Sequence, residues 1–289
     1  MAGQVVYFEG SGLGDGLPLV CPGDAAIAAM LEGKEPDIAA VSGPVPISFV
    51  VPTWWELAVC AVLAGCRPGG LALVAAAVDA MVDPAFNLLG VQATTGAAAP
   101  LLVLAGSTLA PLRLNASANA LGPGNRANAT LGRAVRLVLQ GVGLCEPGAG
   151  DMATHGHPGK YTWLVVENRA DSPWPSLSEP ASVTVFAGVG NVEVVLPASS
   201  AERVADRIAE VISALGAANN VLLLPPESAT FLNRNGWNLP QLTAELASRQ
   251  AAPALVVVTG GAGTKATIVP GWGGGSHAVT RQFTLREHP

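Results

Sequence analysis

The sequence predicts an α/β protein whose central sheet is mostly parallel and flanked by helices. The prediction follows from helical segments that alternate with short apolar runs, each bounded by turn residues. The alternation is most regular in the last third of the chain. There, a predicted helix over residues 201–215 precedes a strand over 221–224, and a helix over 239–249 precedes a strand over 255–259.

The same patterns predict the earlier elements in order. Apolar residues at helical spacing predict helices over residues 24–32, 54–66, 70–82 and 126–142. Short apolar runs predict strands over residues 101–106, 162–166 and 183–187. We expect two interlocked lobes that meet near residue 185, with residues 1–185 forming one and residues 186–289 the other. The likeness between residues 99–106 and 252–260 leaves a distant internal duplication open.

The chain is poor in charged residues. Of its 289 residues, 15 are Lys or Arg and 21 are Asp or Glu, which gives a formal net charge of −6. Charged residues make up 12% of the chain, against about 25% in average soluble proteins. The composition argues against a nucleic-acid partner, which needs a basic surface, and against a disordered chain. A chain with so few charged residues is expected to have a largely apolar surface, and such a surface predicts a homo-oligomer.

A membrane partner is not expected either. The stretch from residue 84 to residue 112 has no charge and is long enough to span a bilayer, but Pro84, Gly90 and Pro100 interrupt it. Residues 1–4 lack the basic and apolar regions of a secretory signal. We therefore expect a cytoplasmic protein whose four cysteines are free thiols.

The densest polar cluster is the loop over residues 151–162. It contains Asp151, His155, His157 and Lys160 in a Gly- and Pro-rich context that precedes an apolar strand. A histidine can move protons near neutral pH, and a neighbouring Asp or Lys can tune it. We predict that His155 is the general acid/base, that Asp151 orients it, and that Lys160 is a further catalytic residue. A solvated surface loop is the alternative.

The two histidines also allow a metal site. The His155-x-His157 spacing can supply two ligands from one extended segment, with Asp151 or His277 as the third. Nothing in the spacing fixes that third ligand. We therefore predict no cofactor, with a divalent metal as the alternative.

A second cluster precedes the predicted helix over residues 126–142. Glycines at the start of a helix expose backbone N–H groups, and Arg126 adds a fork of donors. Together with Asn119 and Asn128, it would suit a carboxylate, a phosphate or a developing oxyanion. The segment is neither a Walker loop nor a dinucleotide-binding fingerprint, so no nucleotide is implied. Ordinary helix capping by Asn125 or Asn128 is the alternative.

Two further candidates lie outside these clusters. Lys265 follows a predicted strand in a Gly-rich loop, the position where α/β folds often bind ligands. Flexible turns with a solvated lysine are the alternative there. Cys66 ends a predicted helix beside Arg67, which favours a thiolate, although a helix C-terminus disfavours one. On the residues alone, Cys66 fits a packed thiol better than a nucleophile.

Segments along the whole chain resemble the domain family associated with selenoproteins that carry a Sec-Gly-Ser-Cys motif. The matching segments include Gly14-Asp15-Gly16-Leu17-Pro18, Ala64-Gly65-Cys66, Asp83-Pro84, Thr94-Thr95, Asn119-Ala120-Leu121-Gly122, Arg126-Ala127-Asn128-Ala129-Thr130, Asp151, Pro158-Gly159-Lys160-Tyr161-Thr162, Ser172-Pro173-Trp174 and Gly260-Gly261-Ala262-Gly263. The Sec-Gly-Ser-Cys motif itself is absent, so a selenothiol redox role is not carried over.

The resemblance implies a set of family-defining positions. They are Cys66, Thr94, Thr95, Arg126, Asn128, Asp151, Lys160 and the loop that begins at Gly260. On this ground Cys66 becomes a candidate nucleophile or pocket wall. Thr94, Thr95 and Asp15, the carboxylate of the N-terminal turn, join the substrate-binding candidates.

These features predict an enzyme that acts on a small organic substrate with a carboxylate or carbonyl group. Acid/base chemistry, with a thiol contribution from Cys66, would give a reaction of lyase or hydrolase type without an organic cofactor. A metal-dependent enzyme that uses His155 and His157 is one alternative. A non-catalytic partner subunit of a thiol or selenol redox protein is the other.

Overall fold

The computed structural model describes residues 5–6, 14–217 and 219–285. It confirms a mixed α/β fold with two four-stranded sheets flanked by helices. The helices are α1 (Asp24–Leu31), α2 (Trp54–Ala64), α3 (Leu71–Val82), α4 (Leu88–Ala93), α5 (Arg126–Leu137), α6 (Ala201–Leu215), α7 (Pro226–Arg234) and α8 (Leu239–Ser248). The strands are β1 (Val5–Val6), β2 (Leu19–Val20), β3 (Ala99–Gly106), β4 (Leu164–Val166), β5 (Ala181–Gly188), β6 (Val192–Val195), β7 (Asn220–Leu224), β8 (Leu255–Val258), β9 (Lys265–Pro270) and β10 (Val279–Gln282).

The sheets are mixed, so the prediction of a mostly parallel sheet is wrong. The strand order is β10-β5-β3-β4 in the first sheet and β6-β9-β7-β8 in the second. Only β3–β4 and β7–β8 are parallel, and the other four pairings in these sheets are antiparallel. No helix lies between β4 and β5 or between β8 and β9 in this fully described part of the chain. Without a crossover helix, each chain segment turns back antiparallel.

Three strands have the same arrangement in both sheets. β3 lies between a parallel partner, β4, and an antiparallel partner, β5, just as β7 lies between β8 and β9. The topology therefore makes β3 equivalent to β7. The sequence likeness instead relates β3 to β8, an edge strand, so it does not follow the structural equivalence.

Alternating side chains along the strands divide the apolar interior into three layers. Leu102 and Leu104 of β3 face the core formed with α1 to α5, whereas Leu101 and Val103 face the second sheet. In β7, Leu222 and Leu224 face the core formed with α6, α7 and α8, and the intervening residues face the first sheet. The period of two is that of strands buried on both faces. The order of layers is therefore helices, sheet, sheet, helices.

The predicted boundary at residue 185 does not separate the two sheets. It falls inside β5, and β10, from the C-terminal part of the chain, pairs with β5 in the first sheet. Residues of both sheets also share the middle layer.

The helix that positions the candidate site is α5. Asn125 caps it, because its side chain accepts a hydrogen bond from the Asn128 backbone N–H at 2.9 Å. The predicted helix over residues 126–142 ends earlier, at Leu137, and continues as a wide π-type turn over Val138–Val142.

Across the described residues, no single helix is long and apolar enough to cross a bilayer. Only α3 taken together with residues 84–93 passes by length and composition, and that pair is bent by 70°.

Candidate functional site

A cleft of about 670 Å³ lies between the second half of α5 and the loop over residues 147–161. The size is that of a site for a small organic molecule. Its polar and charged lining residues are Asp15, Arg136, Gln140, Asp151, His155, His157, Lys160 and Tyr161. The cleft thus gathers the polar residues of the 151–162 loop with two side chains of the α5 region.

Asp151 forms the centre of a buried ion cluster in this cleft. Lys160 Nζ lies 2.7 and 2.8 Å from the two carboxylate oxygens, and Arg136 Nη2 lies 3.2 Å from Oδ2. Burial tends to raise the pKa of Asp151, but hydrogen bonds and charges from Lys160 and Arg136 outweigh it and hold that pKa below its usual value. Asp151 is therefore a carboxylate that positions two cations at the cleft.

This arrangement corrects the role predicted for Asp151. Its oxygens accept from Lys160, Arg136 and the Ala153 backbone N–H, so that it orients Lys160 instead of His155. His155 is exposed at the cleft, where it can exchange protons with water.

His157 is half-buried and tied to its own loop. Its Nδ1 accepts a hydrogen bond from the Gly159 backbone N–H at 3.1 Å, and its ring packs edge-on against Trp163 with centroids 4.7 Å apart. Burial, followed by the charge of Lys160, lowers the pKa of His157, against an opposing contribution from the Ala97 backbone. A neutral ring fits this geometry, because Nδ1 can accept only when it is unprotonated.

The N-terminal turn closes one side of the cleft. Asp15 forms a two-point ion pair with Arg133 of α5, with both N–O distances at 2.6 Å. Gln140 Nε2 donates to the Gly14 carbonyl at 2.6 Å. Asp15 therefore lines the predicted site, but its carboxylate is already engaged by Arg133.

A small recess adjoins the cleft and contains a buried amide. It has a volume of about 20 Å³ and shares Arg136, Asp151 and Lys160 with the cleft. Gln92 lines it and is only 4% exposed, and neither its Nε2 nor its Oε1 has a hydrogen-bond partner among the described residues. The recess has room for about one atom of water size.

Sequence reasoning missed Gln92 and Arg136 as site residues. Gln92 is the only amide side chain of α4, and one polar residue in an otherwise apolar segment was a weak signal in the sequence. Arg136 lies one helical turn after Arg133, so its spacing placed it on the same face of α5.

Arg126 does not belong to this cleft. It lies ten residues before Arg136, which is about 15 Å along α5, and lines a separate cavity. Its Nε and Nη2 both donate to the Gly65 carbonyl, at 2.9 and 2.7 Å. The structure thus divides the single predicted site into two places at opposite ends of α5.

The predicted asparagines stabilise the loop before α5. Asn128 is buried, accepts from the Asn115 N–H at 2.9 Å and donates to the Asn115 carbonyl at 2.8 Å. Asn119 donates to the Pro123 carbonyl at 2.7 Å. Both side chains stabilise the loop, and the helix capping that the alternative named comes from Asn125 instead of Asn128.

The predicted substrate-binding residues Thr94, Thr95 and Lys265 also lie outside the cleft. Thr94 Oγ1 accepts from the Gly96 N–H, and the Thr95 carbonyl accepts from both the backbone N–H and the hydroxyl of Thr154. Thr95 thereby anchors the start of the 154–161 loop. Lys265 is 62% exposed and pairs with Glu193 on the surface.

Cys66 is a packed thiol. It is 8% exposed, and its Sγ donates to the Thr130 carbonyl at 3.2 Å. Burial raises the pKa of Cys66 to about 12, against smaller opposing effects of the Thr130 hydrogen bond and of nearby arginines. A buried, protonated thiol outside the cleft does not fit a nucleophile.

The described residues do not supply a complete set of ligands for the metal-dependent alternative. Within the described part of the chain, no three His, Cys, Asp or Glu side chains come together as a metal site. His157 Nδ1 is also occupied by the Gly159 N–H.

Comparison of the chain with known protein families and with curated proteins gives no match.

Proposed function

We propose that the chain is an enzyme that binds a small carboxylate- or carbonyl-bearing substrate in the cleft beside α5. The observation that carries this proposal is the Lys160–Asp151–Arg136 cluster, which presents two cations around one buried carboxylate. Holding the cations in a fixed place lowers the cost of orienting them toward a substrate oxygen. The chemistry is acid/base, of lyase or hydrolase type.

Each residue has a distinct role in the proposal. Lys160 and Arg136 attract the substrate carboxylate or polarise its carbonyl, while Asp151 fixes both cations. His155 transfers the proton, because it is exposed to the cleft and carries no competing hydrogen bond within the described structure. Gln92 offers an unpaired amide to a substrate oxygen in the recess. Thiol chemistry is left out, because Cys66 is buried elsewhere.

A variant of His155 tests the proton-transfer role. We expect His155→Ala to reduce turnover about 100-fold or more, the usual contribution of a general acid or base. Product formation from a panel of 2-oxo acids, short-chain esters and short-chain amides, followed by NMR, provides the measurement. His277→Ala is the matched control, because His277 is an exposed histidine outside the cleft. Equal turnover of His155→Ala and wild type would remove His155 from the mechanism.

Two alternative functions, a metal-dependent enzyme and a non-catalytic partner subunit, predict different results for the purified chain. A metal-dependent enzyme predicts stoichiometric metal by elemental analysis and loss of turnover with a chelator. A partner subunit predicts that the isolated chain turns nothing over and that a thiol or selenol protein co-purifies with it. The homo-oligomeric state and the cytoplasmic location stay predictions, and light scattering of the purified chain tests the first.

A further inference from the structure

The cavity at the other end of α5 is lined by three arginines. It has a volume of about 560 Å³ and includes Arg67, Arg113 and Arg126 in its wall. These are three of the 15 Lys and Arg residues of a chain whose net charge is −6. None of the described residues in the wall is Asp or Glu. The cavity is thus a local concentration of positive charge in an acidic protein.

The three guanidinium groups have N–H donors that form no hydrogen bond within the described structure. Arg67 and Arg113 are exposed, and neither forms an ion pair or a side-chain hydrogen bond within the described structure. Arg126 uses Nε and Nη2 on the Gly65 carbonyl, which leaves Nη1 for another acceptor. Because like charges repel, three such groups around one cavity are stabilised by an anion between them.

Hydrogen bonds join the backbone segments that carry the three arginines. The bond from Arg126 to Gly65 ties α5 to the chain two residues before Arg67. Asn125 caps α5 and also donates through Nδ2 to the Arg113 carbonyl at 3.2 Å, which ties the third arginine to the same helix. Arg113 itself has a left-handed backbone with a φ of 53°. The three segments are therefore cross-linked around the cavity before any ligand arrives.

We propose that this cavity binds the phosphate group of a small organic phosphate. A guanidinium donates through parallel N–H groups to phosphate oxygens, and a phosphate offers three strong acceptor oxygens and close to two negative charges. Three arginines match that charge better than they match a single carboxylate. The cavity volume leaves room for an organic portion beyond the phosphate.

The site is independent of the cleft, because the two cavities share no lining residue. The proposal of a phosphate site therefore does not depend on whether the cleft is an active site. A Lys160→Met variant, altered only in the cleft, should bind phosphate-type probes like wild type.

Isothermal titration calorimetry at 150 mM KCl with pyrophosphate and inorganic phosphate as probes tests the site. We expect wild type to bind pyrophosphate and the Arg67→Gln/Arg113→Gln double variant to bind it at least tenfold more weakly. Neither side chain bonds to another described group, so the variant should keep the wild-type Tm. The control is Arg203→Gln/Arg234→Gln, which removes two exposed arginines of α6 and α7 and the same net charge.

Four results would overturn the proposal. They are no pyrophosphate binding by wild type, unchanged binding by the Arg67→Gln/Arg113→Gln variant, equal weakening in the control variant, and binding of malonate as tight as that of pyrophosphate. The last result would assign the cavity to carboxylates instead of phosphates.

Discussion

The four cysteine side chains differ in how far burial controls their chemistry. Cys60 and Cys66 are buried, and burial raises the pKa of each thiol to about 12, whereas Cys21 is exposed. Cys145 is also buried, with its pKa raised mainly by burial. Reactivity toward a thiol reagent follows the thiolate and its access to solvent, so the four cysteines should separate into two classes.

We expect one fast-reacting thiol per native chain in a titration with Ellman's reagent at pH 8. Cys21→Ser should abolish the fast phase, and all remaining thiols should react only after denaturation. Peptide mapping identifies the labelled residue. Fast labelling of Cys66 in the native protein would show that it is accessible as a thiolate and would return it to the list of candidate nucleophiles.

The lowered pKa of His157 predicts that the stability of the folded chain depends on pH. Because its pKa is lower in the folded chain than the ordinary value of 6.5, the unfolded chain binds more protons as the pH falls. The contribution to stability is complete above about pH 6.5 and is lost as the pH falls through the lower folded value. Asp151, whose folded pKa is also lowered, acts in the same direction but only below its ordinary value of 3.8.

The measurement is Tm between pH 8 and pH 5. We expect the wild-type Tm to fall below pH 6.5 and the fall to be smaller in His157→Asn, whose side-chain oxygen can still accept from the Gly159 N–H. His277→Asn should behave like wild type. An identical pH profile in wild type and His157→Asn would contradict the assignment.

At the scale of the elements, the close approach of α5 to β4 places the ion cluster. Gly132 is buried in α5, and a Cβ at this position would lie 3.1 Å from the Trp163 backbone N and in overlap with Thr162 Oγ1. Thr162 in turn donates to the Ala129 carbonyl of α5 at 2.8 Å. The absent side chain lets the segment after Lys160 pack directly on the helix that carries Arg136.

We expect Gly132→Ala to lower the free energy of unfolding by about 1–2 kcal/mol, because overpacking outweighs the better helix propensity of alanine. Urea denaturation provides the measurement. Adding Thr162→Ala, which removes the overlapping hydroxyl, should recover part of the loss. A more stable Gly132→Ala protein would mean that α5 and β4 do not pack as closely as described.

Elements with a complete local pattern were predictable from the sequence. The bounds of α6 agree at both ends, because an amphipathic segment lies between the Ser200 cap and Gly216. β6, β9 and β10 were missed. β6 and β10 have four residues each and alternate with exposed or charged side chains, whereas β9 follows directly on a Gly-rich segment that predicted a loop at Lys265. Their place in the sheets depends on pairings between residues far apart in sequence, which local patterns do not contain.

For the whole molecule, the sequence correctly grouped Asp151 with Lys160 but combined two distant places into one predicted site. Asp151 and Lys160 meet as expected from their shared loop, whereas Arg126 and Arg136 lie at opposite ends of one helix. Gln92 becomes visible only when α4 packs beside that loop and leaves its amide buried and unpaired. The layered fold thus creates a cleft at one end of α5 and an arginine-lined cavity at the other.

The turnover of Lys160→Met tests the central claim, that the Lys160–Asp151–Arg136 cleft is the active site. The comparison is with Lys265→Met, which removes an equal charge from an exposed surface lysine, and both proteins are first checked for wild-type Tm. We predict at least a 100-fold lower kcat/KM for Lys160→Met and wild-type kinetics for Lys265→Met. Wild-type kinetics in a folded Lys160→Met protein would contradict the claim.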